Sequence, residues 1–370
     1  MKIKIITCHD VYNLGASLQA YALQTFLLHD GYDVEIINYK PDYLSRHFDL
    51  WMISNSKFDK PILKQLYLLA KLPPRLLALR RKSVFDKFTS KYLRLTKRYC
   101  SYNELKKDPP LADVYVAGSD QIWNTLFENG RDKAFYCDFG EQQIKRISYA
   151  ASFATPTIAS GYEDFVMNEL KKMDYVSVRE RLSLPLLQKL GRADGVAVCD
   201  PVFLLDEHYW TKMVEQSDYV IPKEKYILLY LTDKSPILEL IAMEIRHITG
   251  FKVYVVGSID TSYSDKDLTY ASPFDFVGLI RDAQFVISNS FHAVAFSIIM
   301  ETNFCVVNRE ESINERVRSI LIDYDLEDRL VCGFSERLLD NINFDDVRKK
   351  REKMVSESKM WLSSVLQRAN

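Results

Sequence analysis

Short apolar runs alternate with helical patterns of apolar residues along most of the chain. Near the N-terminus, residues 3–7 predict a strand, 18–30 a helix and 34–39 a second strand, with a turn at 13–17 and Gly31 at the helix end. This order predicts a β-α-β unit of the Rossmann-like kind. The turn contains one glycine, Gly15, so the glycine-rich dinucleotide fingerprint is absent. Gly15 either lets a ligand approach the backbone or makes a simple tight turn.

The alternation continues in two sets. Strands are predicted at 113–117, 146–152, 175–178 and 195–199, and then, after a polar stretch at 206–224 interpreted as a linker, at 226–231, 253–256 and 304–307. A chain of 370 residues is too long for one ordinary core. We therefore expect an α/β fold of two Rossmann-like lobes: an N-terminal domain at 1–205, a C-terminal domain at 222–340 and a C-terminal helix at 341–370.

Residues 41–98 interrupt this alternation. Leucines recur at helical spacing, and ten Lys or Arg residues lie between Lys71 and Arg98 against one acid, Asp86. Pro73 and Pro74 are expected to break the helix. The segment is expected to be a helical basic insertion in the N-terminal lobe. Its basic face is either solvated or in contact, through residues 62–98, with an anionic membrane or a lipid diphosphate.

Composition excludes few function classes. Hydrophobic residues make up 47% and charged residues 27%, as in ordinary globular proteins, and the net charge of -1 gives no field that would attract nucleic acid. The six cysteines form no Cys-x-x-Cys pair, so buried reduced thiols are expected. No signal peptide and no apolar run of about 18 residues occurs, and we expect a cytoplasmic protein.

The most informative stretch is 285–300, FVISNSFHAVAFSIIM. A short apolar run ends in Ser288, Asn289 and Ser290, and a helical pattern begins around His292. In open α/β sheets, ligands bind at the carboxyl ends of strands, and the free N–H groups of a following helix suit an anion such as phosphate. A lone histidine is more often structural, but at this turn an imidazole suits acid–base chemistry or contact with a phosphate.

Polar residues end other predicted strands as well. Asp120 and Asp200 could each act as a base or as a positioning group. Several arginines, namely Arg179, Arg309, Arg316 and Arg318, could bind carboxylate or phosphate oxygens, although each one alone is more typical of an ion pair. No His or Cys cluster has metal-ligand spacing, so no metal site is expected.

Taken in order, these motifs resemble those of the polysaccharide pyruvyl transferases. The matching segments are NLGASLQAYAL at 13–23, GSDQIWN at 118–124, SYAAS at 148–152, SVRE at 177–180, DPV at 200–202 and SFH at 290–292, extended by Arg309 and by NER at 314–316. The resemblance implies two lobes similar to the GT-B glycosyltransferase fold. It also implies transfer of pyruvate from phosphoenolpyruvate to two hydroxyls of one sugar in a surface or capsular polysaccharide precursor. The product would be a cyclic ketal, formed with no cofactor beyond phosphoenolpyruvate as co-substrate.

The resemblance also implies roles for individual residues. It implies that His292 is the general acid or a phosphate contact and that Asp120 or Asp200 is the base. The donor and its phosphate are expected to contact Arg179, Ser288, Ser290, Arg309 and Arg316, and the acceptor to contact Asn13, Gly15, Ser17, Ser119, Gln121 and Ser152. Some members of the family carry Arg where this chain has Ser290, so another cation, Arg309 or Arg316, would have to bind the donor.

Two other functions stay open. One is a GT-B-type glycosyltransferase that uses a nucleotide sugar, and the other is a non-catalytic protein that binds glycans or phosphate. The basic insertion favours a lipid-linked oligosaccharide as the sugar acceptor and peripheral contact with the inner face of a membrane. No nucleic-acid partner is expected.

Overall fold

The structure, a computed structural model, describes residues 1–45, 61–230, 235–257, 262–307 and 315–369. In the first lobe, the strands of these ranges are β1 (Lys2–Ile6), β2 (Asp33–Tyr39), β3 (Leu95–Tyr99), β4 (Val114–Ala117), β5 (Lys145–Ser148), β6 (Ser177–Val178) and β7 (Val196–Ala197). The main sheet has the order β3-β2-β1-β4-β5, and bridges from Ile147 to Tyr175 and from Ala151 to Val178 place β6 and β7 beside β5. Every pairing is parallel, so the carboxyl ends of these strands lie along one edge.

The second lobe repeats this architecture. Its described strands are β8 (Tyr226–Tyr230), β9 (Lys252–Val256), β10 (Lys266–Asp267), β11 (Phe285–Ser288), β12 (Phe304–Val307) and β13 (Leu330–Val331). They form a second parallel sheet in the order β10-β9-β8-β11-β12-β13. The predicted α/β fold of two parallel-sheet lobes is confirmed.

Helices cover both sheets. Those of the first lobe are α1 (Leu14–His29), α2 (Asp42–Ser45), α3 (Pro61–Tyr92), α4 (Tyr102–Lys107), α5 (Glu163–Leu170) and α6 (Leu184–Lys189), and the later ones are α7 (Glu207–Glu215), α8 (Pro236–Thr249), α9 (Pro273–Asp282), α10 (Phe291–Ile299), α11 (Glu315–Asp323) and α12 (Phe344–Arg368). α7 lies within the stretch predicted as a linker and buries Trp210. No helix in the described part of the chain is long and apolar enough to cross a membrane.

α1 is buried on all sides between the two lobes. It begins at Leu14, not at Leu18 as predicted, because the side chain of Asn13 caps it by accepting the N–H of Ala16. Residues 14–27 are all buried, and the helix packs against both the turn Pro201–Leu204 and α9 of the second lobe. One apolar cluster therefore runs from the first sheet through α1 into the second lobe.

α3 departs from the prediction in two ways. The chain stays helical through Pro73 and Pro74, which were expected to break it. Each proline removes one backbone donor. The part of the helix after them is held by packing, because Phe85 and Phe88 contact Tyr12 and Phe274 of the two lobes. The basic insertion also ends earlier than residue 98, because Leu95–Tyr99 forms the edge strand β3. A short, basic strand at a sheet edge has little apolar periodicity, so β3 could not be predicted from its sequence.

The C-terminal helix α12 contacts both lobes. Its Arg348 binds Glu301 of the second lobe, with Nε–Oε1 at 2.8 Å. Farther along, the Oγ of Ser358 accepts the N–H of Cys199 at 2.9 Å, in the first lobe. Four of the six cysteines are buried as expected, whereas Cys100 and Cys332 are exposed.

Candidate functional site

Asp200 lies at the centre of a buried polar cluster between the lobes. Its Oδ2 accepts hydrogen bonds from Nη1 of Arg179 at 2.9 Å and from Oγ of Ser119 at 3.1 Å. The same oxygen lies 3.6 Å from Nε2 of His292, an ion-pair distance slightly longer than a hydrogen bond. Asp200 is 1% exposed and His292 is 5% exposed. Because His292 comes from the second lobe and the other three residues from the first, the cluster joins the lobes.

Arg179 is held on three sides. Its Nε donates to Oε1 of Glu180 at 3.0 Å, and that oxygen also accepts the hydroxyl of Ser152 at 2.7 Å. The guanidinium carbon lies 4.2 Å from the centre of the Phe291 ring, a cation–π contact. Burial lowers the pKa of Arg179, but the charges of Glu180 and Asp200 outweigh it and raise that pKa above its usual range. The side chain is a fixed cation between the lobes.

The Asp200 carboxylate stays ionised in this environment. Burial alone raises its pKa, but the contacts with His292 and Arg179 outweigh burial and hold the pKa of Asp200 well below its usual range. Its other oxygen, Oδ1, accepts the N–H of Val202 at 3.1 Å. With both oxygens in use, Asp200 is suited to orienting Arg179 and His292 rather than to moving a proton.

Asp120 has the opposite environment. It is only half-buried, and no residue that the structure describes donates a hydrogen bond to its carboxylate. Its backbone is left-handed, with φ at 76°, a conformation that few residues other than Gly, Asn and Asp adopt. The Asp120 charge acts on Arg179 and on the phenol of Tyr230 at the end of β8, whose pKa burial raises to about 12. The Asp120 carboxylate is thus available as a hydrogen-bond acceptor, close enough to Arg179 and to the end of β8 for its charge to act on both.

Gly15 lies against His292. A Cβ at Gly15 would lie 2.0 Å from Nδ1 of the imidazole and 2.3 Å from its Cγ, far closer than atoms can approach. Because Gly15 is in the first turn of α1, the absence of a side chain there makes room for the imidazole. The expected contact of Gly15 with the acceptor stays a prediction.

The other predicted site residues are spread around this cluster. The hydroxyl of Ser288 is occupied by backbone groups: it donates to the carbonyl of Tyr230, at the end of the neighbouring strand β8, at 2.6 Å and accepts the N–H of Ser290 at 3.1 Å. Ser290 precedes α10 and is half-buried, while Asn13 is exposed and Ser17 is buried within α1. Arg309 lies outside the described residues.

Gln121 and Arg316 make a second contact between the lobes. The two terminal nitrogens of Arg316 lie 2.9 and 3.0 Å from the end of the Gln121 carboxamide, and both donate to its oxygen when the amide is oriented with that oxygen toward them. Arg316 also lines a cavity of about 20 Å³ together with Arg179, Glu180 and Asp200, which has room for about one water molecule. The guanidinium of Arg316 is therefore close to the cluster.

Three buried polar atoms in the cluster have no hydrogen-bond partner among the described residues. They are Nη2 of Arg179, Nε2 of His292 and Oε2 of Glu180. Buried polar groups are normally satisfied, so a guanidinium N–H, an imidazole nitrogen and a carboxylate oxygen without partners at one place indicate a site for a ligand or an ordered water. Glu180 belongs to the SVRE motif, but no role was predicted for it. Its position directly after Arg179 at a strand end is the signal that could have identified it as a site residue.

No metal site is found in the described ranges, where no three His, Cys, Asp or Glu side chains are grouped to hold an ion.

The structure resembles those of sugar-nucleotide enzymes and glycosyltransferases. UDP-N-acetylglucosamine 2-epimerase from Rickettsia bellii superposes with a TM-score of 0.52 at 12% identity, over 100% of this chain and 96% of that chain. AviGT4, a glycosyltransferase involved in Avilamycin A biosynthesis, gives 0.50 at 12% identity, over 100% and 98%. At such identities the likeness shows the fold, which is of the GT-B type as expected.

The sequence comparison is more specific. No curated protein matches the chain. The family model for polysaccharide pyruvyl transferase matches residues 13–311, which include every strand end of the buried cluster. The chain therefore belongs to the polysaccharide pyruvyl transferase family.

Proposed function

We propose that this protein transfers the pyruvyl group of phosphoenolpyruvate to two hydroxyls of one sugar in a polysaccharide precursor, giving a cyclic ketal. The observation that carries the proposal is the pair of buried nitrogens, Nη2 of Arg179 and Nε2 of His292, that lack partners among the described residues. They come from opposite lobes, and the charge of Asp120, whose carboxylate accepts no hydrogen bond among the described residues, acts on Arg179. The cluster therefore offers a candidate for each group that the reaction needs: a cation that binds the anionic donor, a proton donor and a base.

The reaction needs these groups for its proton balance. The methylene carbon of phosphoenolpyruvate takes up one proton and becomes a methyl group, which leaves an oxocarbenium-like carbon. Two sugar hydroxyls add to that carbon in turn, each losing a proton, and the C–O bond to phosphate breaks. One of the released protons leaves with hydrogen phosphate. Such chemistry calls for an acid, a base and an anion-binding cation, and no redox step occurs.

Each group of the cluster has one role in this proposal. Arg179 binds an anionic oxygen of the donor through its unused Nη2, and His292 protonates the donor or contacts its phosphate. Asp120 accepts the proton of the sugar hydroxyl, because its carboxylate accepts no hydrogen bond within the described part of the chain. Asp200 is a positioning residue, since Arg179, Ser119 and Val202 already bind its oxygens.

The experiment is incubation with phosphoenolpyruvate and a panel of sugar acceptors. Free phosphate and a product heavier by one pyruvyl ketal are measured together. Asp120→Asn is expected to lower turnover about 10²-fold, because the amide cannot take the proton. Asp164→Asn, an exposed carboxylate at the start of α5, is the matched control.

The alternatives give different results in the same experiment. A nucleotide-sugar-dependent glycosyltransferase would release nucleotide from a sugar nucleotide and leave phosphoenolpyruvate unchanged. A binding protein would show heat of binding in calorimetry and no product with any acceptor. Either result would overturn the proposal.

A further inference from the structure

A line of exposed side chains runs along the described part of α3, where Ala70, Lys71 and Ser90 are also exposed. We name this line the α3 stripe; its members are Gln65, Leu69, Leu76, Arg80, Ser83, Lys87 and Lys91. Their spacings of three, four and seven residues place them on one side of a helix. Leu69 is 65% exposed and Leu76 is 50% exposed, so two large apolar side chains face outward two turns apart.

The opposite side of α3 is used for packing. Phe85 meets Tyr12 of the first lobe edge-on with ring centres 5.9 Å apart, and Phe88 meets Phe274 of the second lobe at 5.3 Å. These contacts hold α3 across both lobes and fix the stripe outward. Burial in the core therefore does not account for Leu69 and Leu76.

The charge of this region is strongly one-sided. Ten cations and one acid lie between Lys71 and Arg98, in a chain whose net charge is -1. The single acid, Asp86, pairs with Lys82, and neither residue belongs to the stripe. At the C-terminal end of α3, Asp218 and Asp275 border Lys87 and Lys91 and reduce their pull on an anion. Arg80, on the same line of the helix as the two leucines, does not line that groove, and its guanidinium carbon lies 5.9 Å from the centre of the Tyr270 ring.

We propose that the α3 stripe docks the protein on an anionic lipid surface. Leu69 and Leu76 enter the boundary between headgroups and acyl chains, and Arg80, Lys87 and Lys91 lie against anionic headgroups. Exposed apolar side chains flanked by cations on one helical face match the chemistry of such a surface, which offers hydrocarbon beneath a layer of negative charge. Since α3 spans both lobes, docking would hold the cleft near sugars attached to lipids.

The test is co-sedimentation of the full chain with vesicles. One set contains phosphatidylcholine and phosphatidylglycerol, and the other phosphatidylcholine alone. Binding is expected only to the anionic set and should fall steeply when salt is raised from about 0.1 M to about 0.5 M, because screening shortens the reach of the charges. Replacing Arg80 and Lys87 by Gln is expected to weaken binding about fivefold per cation. Leu69→Glu with Leu76→Glu should abolish it.

The matched control is Leu111→Glu with Met360→Glu, at residues 74% and 62% exposed on other faces. It should bind like the unaltered protein, and thermal unfolding checks that all variants are folded. Equal binding to both vesicle sets, no binding at all, or stripe variants that match the control would overturn the proposal. If the leucine variants instead change the mass in analytical ultracentrifugation and leave vesicle binding intact, the stripe is a contact between copies. Vesicle binding involves no pyruvyl transfer, so its failure leaves the proposed reaction untouched.

Discussion

The two lobes contribute different chemistry to the same cluster. The strand ends of the first lobe supply the charges of Asp120, Arg179, Glu180 and Asp200, and within that lobe Arg179 binds both Glu180 and Asp200. The end of β11 in the second lobe supplies small polar side chains and one imidazole, His292. The hydrogen bonds of Arg179 with Glu180 and Asp200 are thus made within the first lobe, while the imidazole comes from the second. The first lobe supplies the fixed charges of the cluster, and the second supplies a side chain that can transfer a proton.

The largest loss of stability is expected from a substitution in the charged network of the first lobe. Asp200→Ala removes the carboxylate that binds Arg179 and faces His292, and it leaves two buried cationic or basic groups with one partner fewer. Loss of one member of a buried ion pair costs about 3–5 kcal/mol, and we expect about 3 kcal/mol here because Glu180 still holds Arg179. Urea unfolding measures the change, and an effect below about 1 kcal/mol would mean that the Asp200–Arg179 bond does not hold the first-lobe network together.

The same residue predicts a pH dependence. The folded pKa of Asp200 is below its unfolded value of about 3.9, so the carboxylate contributes stability that is complete above that value and is lost as pH falls through and below it. The unfolding free energy of the wild type should therefore drop more steeply than that of Asp200→Asn between about pH 5 and pH 2. Parallel profiles for the two proteins would contradict the inferred pKa of Asp200.

His292→Gln removes the imidazole that the second lobe contributes. We expect turnover to fall about 10²-fold, because Gln can hydrogen-bond but cannot transfer a proton at neutral pH. Stability should fall less than in Asp200→Ala: the contact of His292 with Asp200 is lost, but Arg179 and Ser119 keep their bonds to that carboxylate. Initial rates of phosphate release and an unfolding curve on the same preparation measure both. Wild-type turnover would remove His292 from the chemistry, and a large loss of stability would show that its role is structural.

Gly15→Ala tests how the imidazole is held. The new methyl group would overlap His292, and overpacking of this kind costs about 1–3 kcal/mol. In a His292→Gly background the same change should cost much less, because both the ring of residue 292 and its Cβ, which would lie 2.8 Å from the new methyl group, are gone. Gly333→Ala is the control, since a Cβ there has nothing within 4 Å. Equal costs in both backgrounds would mean that Gly15 does not make room for His292.

The alternation of strands and helices could be predicted because apolar periodicity is a local property. Polar residues at strand ends followed from it, since parallel strands bring their carboxyl ends to one edge. For that reason the sequence allowed the prediction that Arg179 and Asp200 lie close together. The distinction between the two aspartates was not, because it depends on which donors lie within about 3 Å of each carboxylate in three dimensions.

Features that depend on contact between the lobes were missed. α1 has apolar and small residues all round, a pattern that makes sense only once a second lobe covers its outer side. Gly15 looked like part of a turn because its neighbour His292 is distant in sequence. The helix through Pro73 and Pro74 was not predictable for the same reason: a pair of prolines predicts a break, whereas the packing of Phe85 and Phe88 on both lobes depends on residues distant in sequence.

The smallest effect is expected at the contact between Gln121 and Arg316, which joins the lobes outside the cluster. Gln121→Leu removes a partly exposed bond between an amide and a guanidinium, worth about 1 kcal/mol. Since α1 and the cluster hold the lobes together independently, turnover should stay near the wild-type value. A fall in kcat comparable with that of His292→Gln would show that closing the lobes depends on this contact. The imidazole would then be brought into place by the Gln121–Arg316 pair rather than by its own packing on Gly15.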